Sequence, residues 1–509
     1  MIGADRTDSP SDSTGHGDYG IPQLSYWWNR RLRALDPRTQ MEALFTSVHG
    51  GDALRRRVIE VIAEAASLTF SGKVDLHVMM FAFTDYEVAE ALIDAATRHS
   101  SINVRIIADW SQRNHARNQQ VGRLAGLGLP NLRIRYKKDQ PYLWDATAGQ
   151  LRWSYRVSRG LLHHKTLAVL VNGRPRRLIC GSFNWTATAA RSYENILLLA
   201  ADDPGSCELM ARMELEFEAL WSDGFATLSP AEAHLHYRAI LEEYNRDPTI
   251  SPGAIAGIAA AGSEPLQILH AEDWPPGDES SQLDRVDPPA LNLDHPVAIA
   301  FNSRSPEQSA GRCGHAKSNH TQMFSRCTPS GGRKRVRLTL TNLALDTISR
   351  VAPGETMKVA MYGLSTRTPE YGALLAAARR GVRLFVLLDG MVGVDVCASL
   401  TRARHLESLA IEVRTTSKTM HQKYIVCPQS GTVLTGTANM STDASSRHLE
   451  HRIRVLGDEM LAAQFCEDFD TIWARVLPEP VKWDLNSRRE VSEEESEVLC
   501  PPSTNNESP

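Results

Sequence analysis

The feature that most constrains this 509-residue chain is that it spells one structural unit twice. "VDLHVMMFAFTD" (74–85) reads as a buried strand, "YEVAEALIDAATRH" (86–99) has helical periodicity, and "INVRIIADW" (102–110) is a second strand. The second half repeats the set with "ETMKVAMYGLST" (355–366), "PEYGALLAAARRG" (369–381) and "VRLFVLLDG" (382–390). Pro369 opens that second helix and Gly381 closes it, as the asymmetry of helix ends requires. A further short strand follows in each copy, "NLRIRY" and "AIEVRT". Strand–helix–strand alternation predicts an α/β fold: two pseudo-symmetric lobes, each a mostly parallel mixed sheet flanked by helices.

The repeat carries chemistry. "GLLHHKTLAV" (160–169) and "KTMHQKYIVC" (418–427) each place His-x-Lys ahead of an apolar run. One such cluster on an apolar strand is commonly a polar strand edge, but two at the same place in two copies is not a chance arrangement. Both copies continue with a strand, Gly-Ser/Thr-x-Asn-x-Thr/Ser, a polar stretch, and Glu before a final apolar strand. The order is His163, Lys165, Asn184, Thr186, Glu194, then His421, Lys423, Asn439, Ser441, Glu450. His164, the intervening residue of the first motif, belongs on the opposite face by strand alternation and stands outside the active set.

These residues resemble the phospholipase D superfamily, whose members carry paired His-x-Lys motifs in two similar lobes. The likeness runs over most of residues 50–475. Its strongest stretch, "LLHHKTLAV" with "CGSFNWTATAARSYENILLL", is most similar to the nuclease and cardiolipin-hydrolase branch. The resemblance implies that Asn184 and Asn439 contact phosphate, with Thr186 and Ser441 as nearby substrate-binding hydroxyls. It also implies that Glu194 and Glu450 each orient a histidine from the far side, and that the active site lies at the lobe interface. Phosphodiester cleavage needs a nucleophile, an acid for the leaving oxygen and donors for the phosphoryl oxygens. Two imidazoles, two lysines and two asparagines supply these, so neither metal nor cofactor is required. The resemblance casts His163 as nucleophile, forming a phosphohistidine, and His421 as general acid; the residues alone do not choose between them. The family's motif has an Asp seven residues after the His, where this chain has Leu170 and Pro428.

Substrate follows less directly. A net charge of -4 gives no global support for a protein that coats nucleic acid, so phospholipid hydrolysis or phosphatidyl transfer is the first expectation. The alternative is a metal-independent nuclease acting on DNA or RNA, and the second alternative an inactive phosphate- or lipid-binding module. Peripheral membrane contact is expected without a transmembrane segment, because no apolar run approaches the about 18 residues of a span. The polar start lacks a secretory leader's pattern and the scattered cysteines suit reduced thiols, which together predict a cytoplasmic protein. Two motifs in one chain make a monomer sufficient for the site.

The expected boundaries are a disordered tail over 1–24, a first lobe over 25–245, a linker over 246–295, a second lobe over 296–484 and a disordered acidic tail over 485–509. "SYWWNRRLRALD" (25–36) is expected to be a helix covering the first lobe. An insertion before His163 carries Tyr142, Trp144, Trp153 and Tyr155 and is expected to form a loop or hairpin packing its own aromatics; stacking on bases or receiving acyl chains is the functional reading. Cys313, His315, His320 and Cys327 match no standard zinc spacing and read as a loop, and His315-Ala316-Lys317 lacks the apolar strand of a third motif. The basic cluster at 331–340 reads as a strand edge, with polyanion binding as its functional reading.

Overall fold

The structure is a computed structural model describing residues 39–113, 119–139, 142–145, 150–153, 160–201, 208–222, 226–246, 296–302, 339–446 and 448–476. The expected tails, all of the linker but Arg246, the 25–36 helix, Tyr155, the Cys/His segment at 313–327 and most of the basic cluster lie outside these residues.

The first lobe is built on β1 (Thr39–Phe45), β2 (Val74–Met80), β3 (Ile102–Ala108), β4 (Leu132–Lys137), β7 (Lys165–Val171), β8 (Arg174–Gly181), β9 (Asn195–Ala201) and β10 (Thr227–Leu228). The insertion forms a separate antiparallel ribbon of β5 (Tyr142–Asp145) and β6 (Gln150–Trp153). The second lobe has β11 (Val297–Phe301), β12 (Thr356–Met361), β13 (Arg383–Asp389), β14 (Ile411–Thr416), β15 (Lys423–Cys427), β16 (Thr432–Gly436) and β17 (His451–Val455). Strand order is β1-β9-β8-β7-β2-β3-β4-β10 in one sheet and β11-β17-β16-β15-β12-β13-β14 in the other. Over seven positions the orders coincide, with β10 added at the end of the first sheet, so the duplicated sequence is a duplicated topology.

Both sheets are mixed, and the parallel part is smaller than expected. Only β2, β3 and β4, and their counterparts β12, β13 and β14, run parallel. The His-x-Lys strands β7 and β15 pair antiparallel on both sides. The cause in the first lobe is the tight Asn172-Gly173 connection, with φ of 51° and 74°. Positive φ at both central residues is the hairpin turn whose twist matches antiparallel strands.

The expected helices form where their ends say they should. Tyr86–Arg98 is capped by Asp85, which accepts from the Val88 N–H at 3.2 Å. Pro369–Arg379 starts on proline after a Thr368 cap, and Gly381 takes φ +96° beyond its end. Each lobe has its own apolar core on its outer side. A third core is shared: Met79, Leu197 and Phe217 of the first lobe join Tyr424, Phe465 and Phe469 of the second. The helix Glu208–Ser222, which follows β9, packs on β11, and Glu459–Arg475, which follows the equivalent strand β17, packs on β1. Tyr424 Oη donates to Asp468 Oδ2 at 2.7 Å within this shared core, and Ser47 bonds the same carboxylate. No helix among the described residues is long and apolar enough to cross a membrane.

Candidate active site

The site begins with main-chain pairing between lobes. The His163 N–H donates to Leu449 O at 2.9 Å and the Leu449 N–H to Leu161 O at 2.7 Å. Across the pseudo-twofold, the His421 N–H donates to Tyr193 O at 2.9 Å and the Tyr193 N–H to Thr419 O at 2.8 Å. The approach to each His-x-Lys is thus tied to the residues just before the other lobe's glutamate. The side chains cross accordingly: His163 Nδ1 lies 3.0 Å from Glu450 Oε2, and His421 Nδ1 lies 2.8 Å from Glu194 Oε1. A carboxylate on Nδ1 fixes the ring and leaves Nε2 for chemistry. The two imidazoles are 6.1 Å apart between centroids with planes at 82°, a spacing that suits two groups serving one phosphorus.

The lysines flank this pair. Lys165 Nζ donates to His163 O at 2.6 Å and Lys423 Nζ bonds His421 O. Each ammonium also sits over a ring, Lys165 over Phe81 and Lys423 over Tyr362, both at 5.1 Å. The same rings meet the histidines edge-on, Phe81 at 5.1 Å from His163 and Tyr362 at 5.2 Å from His421.

Burial of so much charge shows in the proton affinities. Desolvation and the neighbouring Lys423 hold Lys165 well below the ordinary ammonium range, and desolvation brings Lys423 down to about 8. Burial, then the two lysines and His448, keeps His163 well below the usual imidazole value. Burial also lowers His421, but there the Glu194 carboxylate pulls the other way. Glu450 is pushed up to about 8 by burial against the pull of both lysines. Crowded buried cations lose protons for want of an anion, so a phosphoryl group entering between them would restore their charge.

The asparagines stand at the rim on loops whose geometry demands glycine. Gly181 and Gly436 take φ of +147° and +146°. A Cβ at either would lie 2.4 Å from the carbonyl of Asn195 or His451. That close approach lets Ser182 N–H reach Asn195 O at 3.0 Å and Thr437 N–H reach His451 O at 3.1 Å, bringing the Asn loop back over the sheet end. Asn439 Oδ1 accepts from the Gly363 N–H at 3.1 Å, which leaves its amide N–H groups to donate. Asn184 is half-buried, and its Oδ1 has no hydrogen-bond partner among the described residues. Thr186 Oγ1 accepts from the Ala189 N–H at 3.1 Å and Ser441 Oγ from the Ala444 N–H at 3.3 Å, so both hydroxyls cap the turn that follows them.

Sequence reasoning missed several supporting groups. Asp109 Oδ2 accepts from the Leu162 N–H at 2.8 Å, and Asp389 Oδ2 accepts from the Met420 N–H at 3.0 Å. Each carboxylate therefore pins the residue before a site histidine. Their signal was present as an Asp closing the same strand in both copies, "IIAD" and "VLLD". His448 is a third imidazole, 6.1 Å from His163, with Nδ1 accepting from the Leu161 N–H at 2.9 Å. Arg452, buried, donates to Asn439 O at 3.0 Å and to Leu340 O at 2.8 Å, and so braces the second Asn loop from behind. His164 lies on the opposite face, as alternation requires: it is fully buried, with Nδ1 3.0 Å from His451 Nδ1. Leu170 fills the shared core, and Pro428 follows β15 into the turn.

A second polar cluster, His77, Glu214 and Glu218, has the spacing of metal ligands. Arg105 already occupies it, donating to His77 Nε2 at 2.8 Å and pairing with Glu218, so a guanidinium takes the cation's place.

Comparison with known proteins gives this geometry a family. The model of "Cardiolipin synthase, PLD-like domain" matches residues 68–221 and 347–473, one match in each lobe. A mitochondrial cardiolipin hydrolase of Danio rerio is 26% identical over 224 residues, 40% of this chain and 81% of that protein. The crystal structure of phosphatidylserine synthase from Haemophilus influenzae Rd KW20 superposes with a TM-score of 0.53 at 12% identity, covering 90% of this chain and 91% of that one. That likeness establishes the fold. With the domain matched in both halves, the chain belongs to the phospholipase D-like phosphodiesterase superfamily.

Proposed function

We propose that this protein cleaves the phosphodiester of phospholipids, releasing or transferring the phosphatidyl group through a phosphohistidine on His163. The observation that carries the reading is the crossed pair of His–Glu contacts meeting at 6.1 Å between two buried lysines. His163, with Nδ1–H donated to Glu450, presents an Nε2 lone pair. It attacks phosphorus as the P–O bond to the leaving alcohol breaks, and His421 Nε2–H delivers its proton to that oxygen. Lys165, Lys423, Asn184 and Asn439 donate to the equatorial oxygens throughout. In the second half, His421 takes a proton from water or an acceptor alcohol, whose oxygen displaces His163 and restores the free imidazole.

The unequal environments support this division of roles. His163 is held unprotonated more firmly than His421, and the Glu194 carboxylate favours the imidazolium that a general acid requires. The lipid assignment rests on the matched family and the relative, both described by cardiolipin chemistry. The test is cleavage in excess chelator by wild type, His163→Ala and His421→Ala. Its panel holds phosphatidylcholine, phosphatidylethanolamine and cardiolipin beside single- and double-stranded DNA and RNA. Release of phosphatidic acid or its cardiolipin equivalent, abolished by both substitutions, is expected. Cleavage of nucleic acid alone would replace the lipid reading with a nuclease.

A further inference from the structure

The loop after β13 is apolar, bare and rigid at once. Met391 is 92% exposed, Val394 55% and Val392 47%, and the stretch from Gly390 to Val394 carries no polar side chain. Single exposed apolar residues are ordinary, but three at one loop tip are a patch with a purpose to be found. The tip is held tightly. Asp389 Oδ1 accepts from the Met391 and Val392 N–H groups at 2.9 and 3.1 Å, and the Gly390 N–H donates to Thr416 O at 3.0 Å. A Cβ on Gly390 would lie 2.4 Å from that same carbonyl, so the loop is pressed against the strand end.

Its position is fixed to the site by the same carboxylate. Asp389 Oδ2 holds the Met420 N–H, and Met420 precedes His421. Lys418 lies half-buried on the intervening segment, its ammonium 4.5 Å from the centre of the Tyr193 ring. Three apolar side chains on the Asp389 loop, and a cation two residues before Met420, are thus tied through Asp389 to the segment that carries His421. The first lobe treats the equivalent place differently. After Asp109 comes the turn Trp110–Arg113, with Trp110 only 1% exposed. The helix Pro230–Arg246 covers it, His236 meeting Trp110 edge-on at 5.4 Å and Tyr237 lying 4.0 Å from the Arg113 guanidinium.

We infer that residues 390–394 insert into a lipid surface and seat the cleft against it, with Lys418 facing the headgroup phosphates. The inference rests on the lipid reading above and adds where the protein meets its substrate. Apolar tips with a flanking cation gain from both acyl-chain burial and anionic headgroups, and a preordered loop loses little entropy on insertion. Nothing in the stretch offers the hydrogen-bond donors that a nucleic-acid contact needs.

The experiment uses the full chain and vesicles of phosphatidylcholine with cardiolipin, comparing wild type, Met391→Asp and Met391→Trp. Three readouts are taken: vesicle pelleting, turnover of vesicle phospholipid, and turnover of the soluble diester bis(p-nitrophenyl) phosphate. Met391→Asp is expected to lose about 10- to 100-fold in pelleting and vesicle turnover, since an apolar contact becomes a buried charge. Its soluble-diester turnover stays at the wild-type level, which also reports an intact fold. Met391→Trp is expected to bind at least as well, with a blue-shifted emission on vesicles. Equal pelleting and vesicle turnover by Met391→Asp and wild type overturns the inserting loop while the lipid reading stands. Wild type that turns over the soluble diester but neither pellets with vesicles nor cleaves their lipid overturns both.

Discussion

The two lobes agree in backbone and differ in side chains, and the differences gather around the site. Strand order, the anchoring aspartates, the crossed glutamates and the lysine–ring contacts all recur under the pseudo-twofold. Two residues before the glutamate, however, the first lobe has Ser192 and the second has His448. Ser192 Oγ donates to Thr188 O at 3.1 Å, a local turn bond, whereas His448 reaches across to Leu161 and stands beside His163. Between His and Lys the first lobe has His164 and the second Gln422. On the proposed mechanism, the symmetric frame would supply the in-line arrangement, and the asymmetric neighbours the opposite roles of two identical imidazoles.

That comparison can be broken most forcefully at the histidines themselves. His163→Ala and His421→Ala are each expected to cost at least about 10³-fold in kcat, because the proposed mechanism has each make or break a bond. Similar residual activity in both would be consistent with one concerted unit, and wild-type activity in either would dismantle the account.

The glutamates sharpen the asymmetry. Glu450, raised to about 8, is largely protonated at pH 7, so Glu450→Gln replaces one neutral acceptor with another and should cost less than about 10-fold. Glu194→Gln removes the carboxylate that supports the His421 imidazolium and should cost about 10²- to 10⁴-fold. Equal losses, measured as kcat/KM at pH 7, would mean that the two pairs do equivalent work.

The pH profile separates the same roles. His163 must be unprotonated, and its lowered pKa places the acid limb below the ordinary imidazole range. Lys423 titrates near 8, so activity should fall as pH rises through that value and the ammonium is lost. His448, when protonated, repels a proton on His163, so His448→Ser should raise the acid limb and leave the alkaline limb in place. A shift of both limbs, or of neither, would remove His448 from the asymmetry.

The smallest expected effect is on stability. Asp389→Ala frees the Met420, Met391 and Val392 N–H groups, two of them at the surface, and should cost about 1–3 kcal/mol in denaturant unfolding. Asp109→Ala should cost more, because the turn it holds carries the buried Trp110, whereas the exposed loop held by Asp389 can hydrate.

Much of this architecture is legible in the sequence because duplication supplies its own control. The strands around 74–80 and 356–361 and the helices after Asp85 and Thr368 carry apolar periodicity and end signals that local chemistry determines. The His, Lys, Asn and Glu positions stand out because both copies hold them. The excess of antiparallel pairing escaped notice although Asn172-Gly173 marked the hairpin. Edge strands β1 and β11, and the packing of the helix after β9 or β17 on the other lobe's first strand, are not local properties. Periodicity says that a helix such as Glu459–Arg475 buries a face; it does not say against which sheet. His448 lay hidden for a related reason, since nothing in its own copy of the repeat places it beside the other lobe's histidine.

The most direct test of the central claim is to trap the covalent intermediate. Wild-type protein turning over a phosphatidyl substrate would be quenched in alkaline denaturant, which spares the acid-labile P–N bond, and digested for mass spectrometry. The account predicts a phosphatidyl adduct on His163 that is absent from His163→Ala. An adduct on His421 instead, or full turnover with no adduct on either histidine, would contradict it.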